Sequence, residues 1–338
     1  MGRGLRPFFA TNRPVMTQHS TALAACMRNE GIFVLEWLAH HASLGFAQIM
    51  VVTNACSDGS DILLDRAAEM GLVHHIRQTV PPGMPPQDSG MDAVLAQCRA
   101  NGISHVLHID SDEFLVLDVP LAQLMQQTAA ADVVPIPWRM FGDNGVVQWV
   151  PGDLVTEKNT RAEAAPTPGT TKFKCLFRVA SFAAATDHAP RQPLVADPVV
   201  QTPDGTPLSN ATLFQARSSR FRPHDLACAA RNARLHHYAV RAQDVFLMKN
   251  DRGDGQGKEG HGKYQLGSAW HRQANRNDVP DTSFAPYMPA LQATLAQWRS
   301  DPVLRRLERD CQDWFLARRA QVLTPETRAA WRQGKALQ

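Results

Sequence analysis

Between residues 21 and 109 the chain repeats one pattern, a short apolar run followed by a stretch of helical periodicity. This alternation constrains the fold more than any other feature. Strands buried on both faces read as continuous apolar runs, and strands that alternate with helices are joined as a parallel sheet. Strands are predicted over residues 22–27, 47–53, 73–76 and 105–109. The first helix takes Asn29 as its N-cap, carries Ile32, Leu35, Leu38 and Ala42 at helical spacing, and stops at Gly45. A second spans about 61–70 and ends at Gly71; a third spans about 90–100, after a Pro/Gly loop, and ends at Asn101-Gly102. The expected class is α/β, a doubly wound, mostly parallel sheet.

Such sheets bind ligands in the crevice beyond the carboxyl ends of their strands. Residues 54–60 and 110–113 both fall there, so the two segments are expected to face one pocket. Later order weakens. A strand is expected at 133–137, while 157–170 and 189–208 are rich in Pro, Thr and Ala and read as loops or a lid. Residues 172–178 alternate apolar side chains with Lys172, Lys174 and Arg178, giving a strand with one cationic edge or face. From Met288 onward, amphipathic helices are expected, with Arg305, Arg306, Arg309, Arg318 and Arg319 on a solvated face.

With 338 residues and 44% hydrophobic side chains, the chain buries a sizeable core. The expected organisation is an N-terminal extension (1–20), a catalytic domain (21–285, donor part 21–118 and acceptor part 119–285) and a C-terminal helical extension (286–338). A formal charge of +3 is too mild for a nucleic-acid binder, so no nucleic acid is expected as partner. The six cysteines are scattered and read as reduced thiols. No apolar run has the length of a transmembrane segment, and the cytoplasm is the expected location.

The chemistry concentrates at Asp110-Ser111-Asp112. Residues two apart on a strand point the same way, so both carboxylates emerge together where the fourth strand ends. Two charges about 4 Å apart repel by roughly 1 kcal/mol in water and about 4 at an effective dielectric of 20. A divalent cation, Mg²⁺ or Mn²⁺, reverses that penalty and leaves positions for substrate phosphates. A D-x-D alone reads equally as a solvated acidic turn; its place after an apolar strand and before Glu113-Phe114 favours the metal.

Met27-Arg28-Asn29-Glu30 with Glu36-Trp37, Asn54 with Ser57-Asp58-Gly59-Ser60, and Ile109 to Phe114 resemble, in order and spacing, the bacterial family 2 glycosyltransferases and their relatives in family 92. The likeness covers about 21–144 and continues more faintly to about 253. It implies a GT-A fold, a nucleotide diphosphate sugar as donor and a divalent metal on its diphosphate. Asp112 is then the direct metal ligand and Asp110 contacts ribose or metal, with Glu30, Asn54 and Asp58 near the nucleotide. Relatives often carry an acidic residue where Thr53 stands.

Trp138 to Gly145 resembles the family's W-x-x-F-G-x-x-G segment. Trp138 reads as a sugar platform or as core, and Asp143 as a general base for the acceptor hydroxyl or as a turn former. His236-His237-Tyr238, followed by Lys249 and Arg252-Gly253, resembles the family's H-Y and R-G elements. His237 is the candidate third metal ligand, with His188 as second choice, while Lys174, Lys249 and Arg252 offset the donor's charge. The run 251–263 reads as a flexible loop or a lid. The resulting expectation is inverting sugar transfer to a glycan, lipid-linked or other hydroxyl acceptor. Its rivals are a metal-dependent nucleotidyltransferase and a non-catalytic sugar-nucleotide or carbohydrate binder. No P-loop, H-E-x-x-H, G-x-S-x-G or C-x-x-C offers another chemistry.

Overall fold

Four strands, β1 (Thr21–Met27), β2 (Gln48–Thr53), β3 (His74–Arg77) and β4 (His105–His108), form the parallel half of the sheet. They are linked by α1 (Val34–Ala42), α2 (Ser60–Glu69) and α3 (Pro86–Ala100). The structure is a computed structural model that describes residues 20–215, 219–253 and 263–332. The expected N-terminal extension lies almost wholly outside the described residues, as does most of the run 251–263. In β1 alternate residues enter different apolar clusters: Leu23, Ala25 and Met27 join one with Trp37 and Leu38, while Ala22 and Ala24 join one with Met91 and Val94. Helices on both faces of the sheet therefore require the unbroken apolar run.

The chain continues through β5 (Glu113–Leu117), α4 (Leu121–Gln127), β6 (Val133–Met140), α5 (Val155–Lys158) and β7 (Arg161–Ala162). Then come β8 (Phe173–Arg178), β9 (Phe182–Ala185), β10 (Pro190–Pro193), β11 (Val200–Gln201), β12 (Pro207–Leu208), α6 (His224–Cys228) and β13 (Ala233–His237). The main sheet runs β12-β11-β6-β8-β4-β1-β2-β3. The doubly wound α/β class holds, and β8 is antiparallel to both its neighbours. The segment 189–208, expected as loop, contains β10 to β12, and 157–170 contains β7. These are two- to four-residue pairings that a composition rich in Pro and Thr does not announce.

Asn29 does not cap α1. The helix starts at Val34, and Asn29, in the left-handed region at φ 54°, accepts from Ser57 N and donates to Ser57 Oγ, tying the loop after β1 to the loop after β2. Chain then follows through α7 (Gln243–Arg252), α8 (Ala269–Ala274), β14 (Val279–Pro280), α9 (Met288–Trp298), α10 (Pro302–Val322) and α11 (Pro325–Arg332). α9 packs on α1, and α10 packs on α2 and α7. Two arginines expected on a solvated face instead pin α10: Arg318 pairs with Asp251 at 2.7 Å and Arg319 with buried Asp244 at 2.5 Å.

α1 fixes the strand that follows the acidic turn. β5 pairs with β13 on one edge. Its remaining backbone groups are met by side chains: Trp37 Nε1 donates to Glu113 O at 2.9 Å, His40 Nε2 to Leu115 O at 2.7 Å, and Leu115 N donates to His41 Nε2 at 3.1 Å. Tyr287 Oη accepts from Leu117 N and donates to Leu117 O. The contacts require opposite tautomers: His40 carries its proton on Nε2, while His41 donates from Nδ1 to Trp37 O. Burial lowers the His40 pKa to about 4, so the ring stays neutral.

Candidate active site

Asp110 to Asp112 turn out of β4 and are caught between two long-range partners. His237, the last residue of β13, lies opposite Glu113 in the ladder, and Tyr238 N donates to Asp112 O at 2.8 Å. This register brings His237 Nε2 to 3.4 Å from Asp112 Oδ1. From α7, Lys249 Nζ donates to Asp112 Oδ2 and to Ala239 O, both at 2.7 Å. The Asp110 carboxylate accepts from Gln87 Nε2 at 2.9 Å and from Lys174 Nζ at 2.9 Å. Burial opposes charge on both aspartates, yet Lys249 and His237 hold Asp112 well below the usual carboxylate range, and Lys174 lowers Asp110.

Gln87, Asp110, Asp112, His237 and Lys249 border a cleft of about 500 Å³ at the carboxyl ends of the strands. Of the expected residues, Glu30, Asn54, Asp110, Asp112, Trp138, His188, His237, Lys249 and Arg252 line it together. The segment 54–60 reaches the cleft only through Asn54. Asp58 is a loop brace: it accepts from Ser60 N and Oγ through one oxygen and from Gly31 N at 2.9 Å through the other. Lys174 is fully buried beneath Asp110 and outside the lining, with Asp187 O as a second acceptor at 2.9 Å. Although burial disfavours its charge, Asp110, Glu113 and Asp187 keep its pKa above the ordinary lysine range.

Asp143 also lies outside the lining. It is buried in the turn after β6, where its carboxylate accepts from Gly145 N at 3.0 Å and its own N–H donates to Asn275 Oδ1. The W-x-x-F-G-x-x-G segment thus puts Trp138 in the cleft and closes a turn with the rest, Gly145 taking φ 80°. The cationic residues expected on one edge or face at 172–178 also part company: Lys172 lines the cleft, whereas Arg178 donates to the carbonyls of Ala129 and Ala131 at the other end of β8.

Four contributors carried no sequence signal. Arg241, buried and left-handed at φ 59°, pairs with Glu30 at 2.7 Å, donates to Ser111 O at 2.7 Å and lies over the Phe33 ring. Glu30 also pairs with Arg252, so its carboxylate is held by two guanidiniums. Asp187 and Arg191 reach the cleft from the β9–β10 hairpin, and Gln87 reaches it from the first turn of α3. A helix predicted to begin at Gly90 leaves Gln87 in a loop.

Asp112 Oδ1 and His237 Nε2 stand 3.4 Å apart, a mixed oxygen and nitrogen pair that fits Mn²⁺ better than Mg²⁺, which prefers oxygen ligands throughout. Among the described residues no group of three or more His, Cys, Asp or Glu converges, so a cation held here would need its other ligands from substrate and water. His237 Nδ1 is buried without a hydrogen-bond partner and the ring packs on Trp138, centroids 4.2 Å apart. His188 packs on the same Trp138 and donates from Nδ1 to Phe173 O at 2.8 Å.

No protein-family model and no curated protein sequence matches the chain. Solved structures resemble it in part. S. aureus TarS 1-349 is 19% identical over 48% of this chain and 47% of that one, with a TM-score of 0.31. Glucosyl-3-phosphoglycerate synthase from Mycobacterium tuberculosis, solved with Mn²⁺, UDP and glucosyl-3-phosphoglycerate, is 14% identical over 50% and 61% of the two chains, with a TM-score of 0.28. A 4-diphosphocytidyl-2C-methyl-D-erythritol synthase is 12% identical over 49% and 78%, with a TM-score of 0.31. The match spans about half the length of the TarS chain.

Proposed function

We propose that the chain is a metal-dependent glycosyltransferase of the GT-A type, which moves a sugar from a nucleoside diphosphate donor to an acceptor hydroxyl with inversion. The observation that carries this reading is the approach of Asp112 Oδ1 to His237 Nε2 at 3.4 Å on the rim of the cleft. A divalent cation held by Asp112 and His237 would neutralise charge on the donor diphosphate and on the departing nucleoside diphosphate. Lys249 and Arg252 add positive charge beside it, and Asn54 and Glu30 border the nucleotide.

In this reading Asp187, which lines the cleft, takes the proton of the acceptor hydroxyl, the role the sequence assigns to Asp143, whose carboxylate is occupied within its turn. The acceptor oxygen bonds to the anomeric carbon as the bond from that carbon to the diphosphate oxygen breaks. Trp138 lines the same cleft. Asp112→Asn keeps the shape of the side chain and removes its charge. Metal-dependent release of nucleoside diphosphate from a donor is expected to fall by about a hundredfold or more. Unchanged turnover, or pyrophosphate as the product from a nucleoside triphosphate, defeats the reading.

A further inference from the structure

The charges around the acidic turn are matched within the protein: Asp110 by Lys174, Asp112 by Lys249, and Glu30 by Arg241 and Arg252. The wall made by Trp138, Lys172 and the β9–β10 turn is different. Lys172 is half-buried in the cleft, with its ammonium 5.6 Å from the Trp138 ring centroid, and no carboxylate lies within ion-pair distance of it among the described residues. Arg191 and Lys263 line the same cleft. Burial lowers the Lys172 pKa; Asp187 opposes the shift, while Lys174, Lys263 and Arg220 reinforce it. Trp138 adds a buried Nε1–H that has no acceptor.

A half-buried ammonium with no carboxylate within ion-pair distance, set against an aromatic wall, lowers its free energy by taking up an oxyanion. The donor's diphosphate does not need this wall, because Lys249 and Arg252 stand beside the proposed metal ligands. We propose that Lys172 and Trp138 form an anion subsite for the acceptor, so that the acceptor carries a phosphate or carboxylate near the hydroxyl that receives the sugar. The proposal rests on the glycosyltransferase reading and specifies the class of its acceptor.

Calorimetry on the full chain tests both in sequence. UDP, GDP, ADP, CDP and dTDP are each titrated first with Mn²⁺; binding of none of them overturns the donor reading and this inference with it. With the nucleoside diphosphate that binds and Mn²⁺ both saturating, so that the donor's own phosphate positions are filled, glycerol 1-phosphate, glycerate and glycerol are titrated in turn. Binding of either anion, with none by glycerol, is the expected result, and which anion binds identifies the group. Lys172→Met is expected to weaken that binding by about tenfold or more, and Lys172→Arg to restore it. Nucleoside diphosphate binding without anion binding overturns the inference alone, as does an unchanged anion affinity in Lys172→Met. The unliganded melting temperature of each variant verifies that it is folded.

Discussion

The two walls of the cleft are built on opposite electrostatic plans. Around the acidic turn the carboxylates of Asp110, Asp112 and Glu30 are each held by an ammonium or guanidinium of the same chain, with distances of 2.7 to 2.9 Å at Lys174, Lys249 and Arg241. Beside Trp138, Lys172 has no carboxylate within ion-pair distance among the described residues, and Asp187 faces the cleft from a hairpin turn. The first wall is a frame whose charged groups hold one another in place. The second has charge to offer a ligand, and its groups come from short strands and turns. A frame of matched ions contributes less through net attraction than through holding groups in place, because desolvation cancels much of the Coulomb gain.

The largest expected effect separates reaction from frame. Asp187→Asn is expected to lower kcat by about 10²- to 10⁴-fold, the range of a general base, with little change in the unfolding midpoint. A loss of stability with kcat intact would make Asp187 part of the frame and erase the contrast. Next comes the frame itself. Arg241→Met leaves buried Glu30 with one guanidinium and Ser111 O without its donor, and is expected to cost about 3–5 kcal/mol in denaturant unfolding. A cost near zero would mean that the matched wall is no more rigid than the other.

The smallest effect concerns pH. His40 has a folded pKa of about 4, against about 6.5 when unfolded, so between those values the unfolded chain binds more protons than the native one. The contribution of neutral His40 is complete above pH 6.5, falls as pH drops toward 4, and then levels off. The shift corresponds to about 3 kcal/mol. His40→Gln is expected to flatten the stability profile by that amount between pH 6.5 and 4, measured by urea unfolding. A profile of unchanged slope would show that His40 takes up its proton without opening the frame.

The matched wall was largely legible in the sequence, because strand periodicity locates β1 to β4 and a D-x-D at a strand end is a local pattern. His237 and Lys249 were also found, through neighbouring residues that resemble a family's order. Arg241 was not, because its role depends on a left-handed backbone and on partners 130 and 211 residues away. Asp58 and Asp143 looked chemical because carboxylates in turns and carboxylates in sites share the same neighbours in sequence; backbone N–H donors decide between them. Lys172 and Lys174 stand two apart, as on one side of a strand, yet β8 begins at Phe173: Lys174 ends under Asp110, and Lys172, just before the strand, lies in the cleft. Depth along a strand is not written in alternation.

β5 carries one more consequence. A strand that pairs on one side only ordinarily leaves a row of amides and carbonyls open to any extended chain that passes. Here Trp37, His40, His41 and Tyr287 occupy that row. No foreign strand can add there, and sliding β5 by two residues against β13 would break the side-chain contacts on its other border as well. The register that sets His237 opposite Glu113 is therefore locked from both sides, like a ruler clamped along both edges.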